Sequence, residues 1–160
     1  MSMRKFILFG IIFQISILFS FVAFAYAPLY FGEEIKVKAS GFDPRDIFLG
    51  NYVYLRYEGL NQIQTEEEFK RGKKVYLILE KEKDLYKGKK VTHKKPKDEV
   101  FITGRVTYQD SVLNIKFGIE KYFLPQKDAL KLEKQLQSKD AVVTLGVLNG
   151  LVRIKKFEFE

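Results

Sequence analysis

Ala141-Val142-Val143-Thr144-Leu145-Gly146-Val147-Leu148-Asn149-Gly150-Leu151-Val152-Arg153-Ile154-Lys155-Lys156-Phe157-Glu158-Phe159 is the stretch that decides the fold class. Two runs rich in β-branched and aliphatic residues flank Asn-Gly, the pair that supplies the positive φ angles of a type I′ turn. The twist of that turn matches a two-residue hairpin, so the sequence predicts strands over 141–148 and 151–159. Upstream, residues 34–39 alternate apolar and polar, the period of a half-buried strand. Residues 52–58 read the same way, with Val53, Leu55 and Tyr57 on one face and Tyr52, Tyr54 and Arg56 on the other. Further strands are predicted near 74–81, 99–108 and 112–118. Residues 128–138 form the one good soluble helix candidate, with Ala129, Leu132 and Leu136 at helical spacing, and 65–69 suggest a helical turn capped by Thr65. About seven strands and one short helix predict a mainly β domain, an antiparallel β sandwich or open barrel whose helix closes an end or edge.

Ahead of these strands, no residue from Phe6 to Gly32 is charged. A helix from Phe6 to Ala27 measures about 33 Å, against about 30 Å of bilayer hydrocarbon. Arg4, Lys5 and Ala23-Phe24-Ala25 also fit a secretory signal peptide with a small-x-small cleavage site. The apolar run exceeds the usual signal-peptide core of about 7 to 15 residues, which favours a retained anchor. A buried soluble helix is disfavoured because the segment is apolar all round. The expected organisation is a basic tail at 1–5, a transmembrane helix at 6–31 and a β domain at 32–160. Because long C-terminal domains cross largely regardless of charge, the expected topology is a cytoplasmic N-terminus in the inner (cytoplasmic) membrane, with the domain periplasmic or extracellular. The absence of cysteine excludes a disulfide framework, thiolate chemistry and Cys-ligated metals.

The formal charge of +8 is local: from Lys70 to Lys97, 12 Lys or Arg face only Glu80, Glu82 and Asp84. Lys87, Lys89, Lys90, Lys94, Lys95 and Lys97 concentrate it in a run without an acid, predicted to be a solvated hairpin loop. It offers a surface for anionic lipid or envelope polymer. Nucleic acid is not an expected partner outside the cytoplasm.

The block Asp43-Pro44-Arg45-Asp46-Ile47-Phe48-Leu49-Gly50-Asn51-Tyr52-Val53-Tyr54-Leu55-Arg56-Tyr57-Glu58 resembles the signature of the bacterial GDYxxLxY family. Gly50, Tyr52, Leu55 and Tyr57 match, and Asn51 stands where the family has Asp. Gly118-Ile119-Glu120-Lys121-Tyr122-Phe123-Leu124-Pro125 resembles a later block of the family, while Gln126 and Asp128-Ala129 depart from its Glu and Gly. The resemblance implies an envelope protein with one N-terminal hydrophobic segment, often encoded beside multi-spanning membrane proteins. It implies no catalytic assignment.

Read as chemistry, Pro44 biases Asp43 to an extended conformation, Asp43 and Asp46 can hold turn N–H groups, and Gly50-Asn51 can take a left-handed bend. Exchanging Asp for Asn51 keeps the turn chemistry and removes a charge, which counts against a base or metal ligand there. The single His93 has no second His or Cys to share a metal, so no metal and no cofactor is expected. Asp43, Arg45, Asp46, Gly50, Asn51, Tyr52, Tyr54, Arg56, Tyr57, Glu58 and Glu120 are the candidate partner-binding residues, because Tyr and Arg are enriched in binding hot spots. The expected function is a single-pass, membrane-anchored accessory protein whose domain binds a membrane or envelope partner, with a multi-spanning membrane protein the expected one. The alternatives are an envelope hydrolase with Asp43, Asp46 and Glu120 in a cleft, and an anionic-polymer or lipid binder acting through the lysine run.

Overall fold

The computed structural model describes residues 3–42, 52–125 and 141–159, together with 128, 132, 135 and 136. Helix α1, Met3–Phe31, is long and apolar enough to cross a membrane, and none of its most apolar window is buried by the domain. Its apolar side chains, among them Phe6, Phe13, Phe21 and Phe24, are instead exposed. Among the described residues, only its last turns meet the domain, where Pro28 is buried. The Pro28 carbonyl lies so close to Gly146 and Gly32 that a side chain at either would strike it.

Gly32 alone separates α1 from β1, Glu33–Phe42. Among the described residues β2 (Tyr52–Tyr57), β3 (Gln62–Ile63), β4 (Lys74–Glu82), β5 (Leu85–Thr92), β6 (Phe101–Gln109), β7 (Leu113–Lys116), β8 (Lys121–Phe123), β9 (Ala141–Leu148) and β10 (Leu151–Phe159) follow. They form two antiparallel sheets, in the orders β10-β9-β1-β2-β8 and β3-β7-β6-β4-β5. The first is a half-barrel. The second is nearly closed, because the Gly88 N–H of β5 donates to the Gly59 carbonyl at 2.9 Å beside β3. A Cβ at Gly88 would lie 2.6 Å from Ile63 Cδ1, so glycine is what lets these edges meet. The shared core contains Ile35, Val37, Leu55, Tyr57, Leu77, Ile102, Ile115, Val143 and Leu145.

The terminal hairpin forms as the sequence predicts: Leu148 pairs with Leu151, and Asn149 and Gly150 take φ of 51° and 83°. Gly150 has a second duty, since its carbonyl accepts the Thr103 N–H at 2.8 Å and its Cα faces the Phe101 ring. Gly72, with φ of 78°, has nothing near its missing side chain. Gly72→Ala should therefore cost about 1 kcal/mol of backbone strain alone, whereas Gly150→Ala, which adds a collision, should cost about 3 kcal/mol. Thermal unfolding of the two variants checks the difference.

Three expectations need correction. The lysine run is not one loop: Lys87, Lys89 and Lys90 lie on β5, and only Lys94, Lys95 and Lys97 lie in the connection to β6. An edge strand needs little apolar surface, and β5 buries just Val91 fully. Residues 65–69 are not helical; Thr65 Oγ1 accepts the Glu67 N–H at 3.2 Å in a local turn, and Phe69 anchors the segment in the core. Strands β3 and β8 are additional, both too short to show a period. Within the predicted 128–138 helix, Asp128, Leu132, Gln135 and Leu136 are helical, with Leu132 and Leu136 buried, while Ala129 lies outside the described residues.

Candidate functional site

Strand β2 divides its residues as the alternation requires. Val53, Leu55 and Tyr57 point inward, with Leu55 and Tyr57 fully buried. The Tyr57 hydroxyl donates to the Ile119 carbonyl at 2.8 Å, so its polar tip is satisfied inside the core. Burial, reinforced by the Glu120 charge, pushes the ionisation of this hydroxyl well above the ordinary tyrosine range. The two inward residues of the motif therefore hold β2 in place, and any contact they make with a partner is indirect.

Glu120 is 5% exposed, and its carboxylate is fully engaged. Oε1 accepts the Phe117 N–H at 2.6 Å and the Asn61 Nδ2 at 3.3 Å, while Oε2 accepts the Gly118 N–H at 2.9 Å. Its backbone carbonyl accepts the Leu55 N–H at 2.7 Å. One residue thus folds the 117–120 turn and fastens it to the motif strand.

Asn61 completes the arrangement and was not singled out from the sequence. Its Oδ1 accepts the Tyr57 N–H at 2.7 Å, its Nδ2 donates to the Ile115 carbonyl at 3.0 Å, and its own carbonyl accepts the Ile115 N–H at 2.9 Å. The only local signal is the Gly59-Leu60-Asn61 turn, since the remaining partners lie more than fifty residues away.

On the outward side, Tyr54 and Arg56 line a polar cleft of about 140 Å³ with Asn61, Gln62, Tyr108, Asn114, Lys116 and Glu120. Both sheets contribute, so the cleft sits on the seam between them. Tyr52 opens β2 opposite Phe123. Asp43, Arg45, Asp46, Gly50 and Asn51 lie outside the described residues. Glu58 is separated from the cleft. It lines a larger groove of about 580 Å³ with Lys36, Lys38, Tyr86, Lys87 and Glu158, where the β4–β5 turn leans over β1. Acids and lysines balance there, and Lys36 bonds Glu158 at 3.1 Å.

Within the lysine run, Lys87 bonds Glu82 at 2.5 Å and Lys89 forms a looser ion pair with Glu80 at 3.8 Å. The Glu82 contact raises the Lys87 ammonium above, and lowers the Glu82 carboxyl below, its ordinary range. His93 stacks on Phe69, ring centroids 4.6 Å apart. Among the described residues no group of three His, Cys, Asp or Glu is placed to hold a metal. Charge, hydrogen bonding and shape in the cleft suit recognition of a polar or charged surface; proton transfer by Glu120 would require breaking the bonds that hold its own turn.

No curated protein and no solved structure matches the chain. The family model described as GDYXXLXY protein matches residues 14–157, from within α1 into the last strand. With the motif strand, its Glu120 clasp and the C-terminal part of the preceding helix inside a match that covers most of the chain, the chain belongs to the GDYXXLXY family.

Proposed function

We propose that the protein is a single-pass, membrane-anchored accessory protein whose β domain, outside the cytoplasm, binds a membrane or envelope partner through the outer face of β2 and the segment before it. The observation that carries this reading is the division of labour on β2. Leu55 and Tyr57 are fully buried and Glu120 clasps the strand, whereas Tyr54 and Arg56 face a cleft beyond the core. Such rigid backing under a Tyr and an Arg is the anatomy of a binding hot spot. An apolar α1 with its side chains outside the domain supports anchoring, and translocation of a long C-terminal domain supports the topology.

A multi-spanning membrane protein is the partner this reading favours. Crosslinking capture from intact membranes tests it, comparing the native chain with Arg45→Ala and Tyr54→Ala. The expected result is one integral-membrane protein captured by the native form and lost, at least tenfold, in the variants. Undiminished capture by both variants would refute the assignment.

A further inference from the structure

The outer face of the second sheet carries charge that the described residues do not neutralise. Val75 and Leu77 point into the core, so Lys74, Tyr76 and Ile78 lie on the opposite face, where Lys74 is exposed, Tyr76 half-buried and Ile78 covered. Register extends that face across three strands: Lys90 pairs with Ile78 and Ile78 with Phe101, Thr92 with Tyr76 and Tyr76 with Thr103, and Lys74 with Arg105. The connection after β5 folds onto it, with Lys95 Nζ 5.9 Å from the centre of the Phe101 ring. Lys74 Nζ is 5.2 Å from the centre of the Tyr76 ring, and the two rings meet edge-on at 5.7 Å.

Lys74, Lys90, Lys94, Lys95, Lys97 and Arg105 are all exposed. Among the described residues none has an ion-pair partner, in contrast to Lys87 and Lys89. Glu80, outward on β4, is engaged by Lys89, and Asp98 and Glu99 are the only acids within the 93–100 connection.

The terminal hairpin joins this face to α1. The β9–β10 turn seats Gly150 against Phe101 and accepts the Thr103 N–H, and three residues earlier Val147 packs on Gly32, with Gly146 against Pro28. From Val147 to Gly150 the chain spans at most about 10 Å. The anchor and the basic face are thereby fixed to one another, and a cation-rich surface with a half-buried tyrosine beside a membrane-spanning helix matches an anionic headgroup layer in charge.

We propose that the outer face of β4, β5 and β6, with the 93–100 connection, lies against the anionic phospholipid headgroups of the bilayer that α1 crosses. This rests on the anchoring role of α1 and not on the partner-binding cleft, which is lined by other residues. Because the chain contains no tryptophan, Tyr76→Trp provides a single reporter on the face. Tyr108→Trp provides a second one, five residues or about 17 Å along β6 from Thr103, the register partner of Tyr76.

The full chain is placed in nanodiscs of phosphatidylcholine alone or with phosphatidylglycerol, each carrying a headgroup nitroxide that quenches nearby indole. The Tyr76→Trp reporter should be quenched at least threefold more than the Tyr108→Trp reporter in phosphatidylglycerol discs. The excess should shrink in phosphatidylcholine, at high salt, and on adding Lys94→Glu, Lys95→Glu and Lys97→Glu together. Equal quenching of the two reporters in properly incorporated chain, or an excess indifferent to charge and salt, would overturn the inference. Failure of the native chain to enter discs would overturn the anchor reading and this inference with it.

Discussion

Tyr57→Ala should remove about 4 kcal/mol of stability, enough to unfold much of the domain, while Tyr57→Phe should cost only about 1 kcal/mol. The large term comes from emptying a fully buried ring site between the sheets. The small one comes from losing the hydroxyl bond to Ile119. Chemical denaturation of the detergent-solubilised chain separates them.

The same residue makes a pH prediction whose sign follows from its environment. Burial and the Glu120 charge raise the ionisation of Tyr57 in the folded state, whereas the unfolded chain releases that proton near pH 10. Below about pH 10 both states hold the proton and the contribution is complete. As pH rises further, only the unfolded state is relieved by ionising, so stability drains away. Tyr57→Phe, less stable at neutral pH, should lose less between pH 9 and 11 than the native chain. Equal alkaline slopes in the two proteins would contradict this account of the hydroxyl.

Glu120→Ala is the second large effect, expected at about 3 kcal/mol. It would remove the acceptor of the buried Phe117 N–H and of the Gly118 N–H, and one of the bonds that hold Asn61. Glu120→Gln should cost about 2 kcal/mol, because an amide can still accept at one position but turns an N–H toward a second N–H at the other. A fall in melting temperature for both variants, larger for Ala, is the expected result. An unchanged melting temperature with a changed binding or chemical activity would instead return Glu120 to a direct functional role.

What the sequence disclosed depended on the range of the physics involved. The terminal hairpin was legible because Asn149-Gly150 states its turn type locally, and the faces of β2 were legible because alternation over six residues is a local signal. Strand β5 was hidden: six lysines without an acid read as loop, and the glutamates that pair with two of them sit on the neighbouring strand. Strands of two or three residues carry no period at all. Glu120 was legible as a motif residue but not as a clasp, since its role depends on Asn61 and on the return of β8 alongside β2. Gly146 reads as a weak point in a strand until Pro28 is seen against it.

Capture and stability measured together on Tyr54→Ala and Tyr57→Phe would test the division of β2 into a structural face and a binding face most directly. Tyr54→Ala should stay within about 1 kcal/mol of native stability and lose the membrane partner, and Tyr57→Phe should be destabilised yet retain the partner in its folded fraction. Retention of the partner by Tyr54→Ala, with loss by folded Tyr57→Phe, would contradict the account.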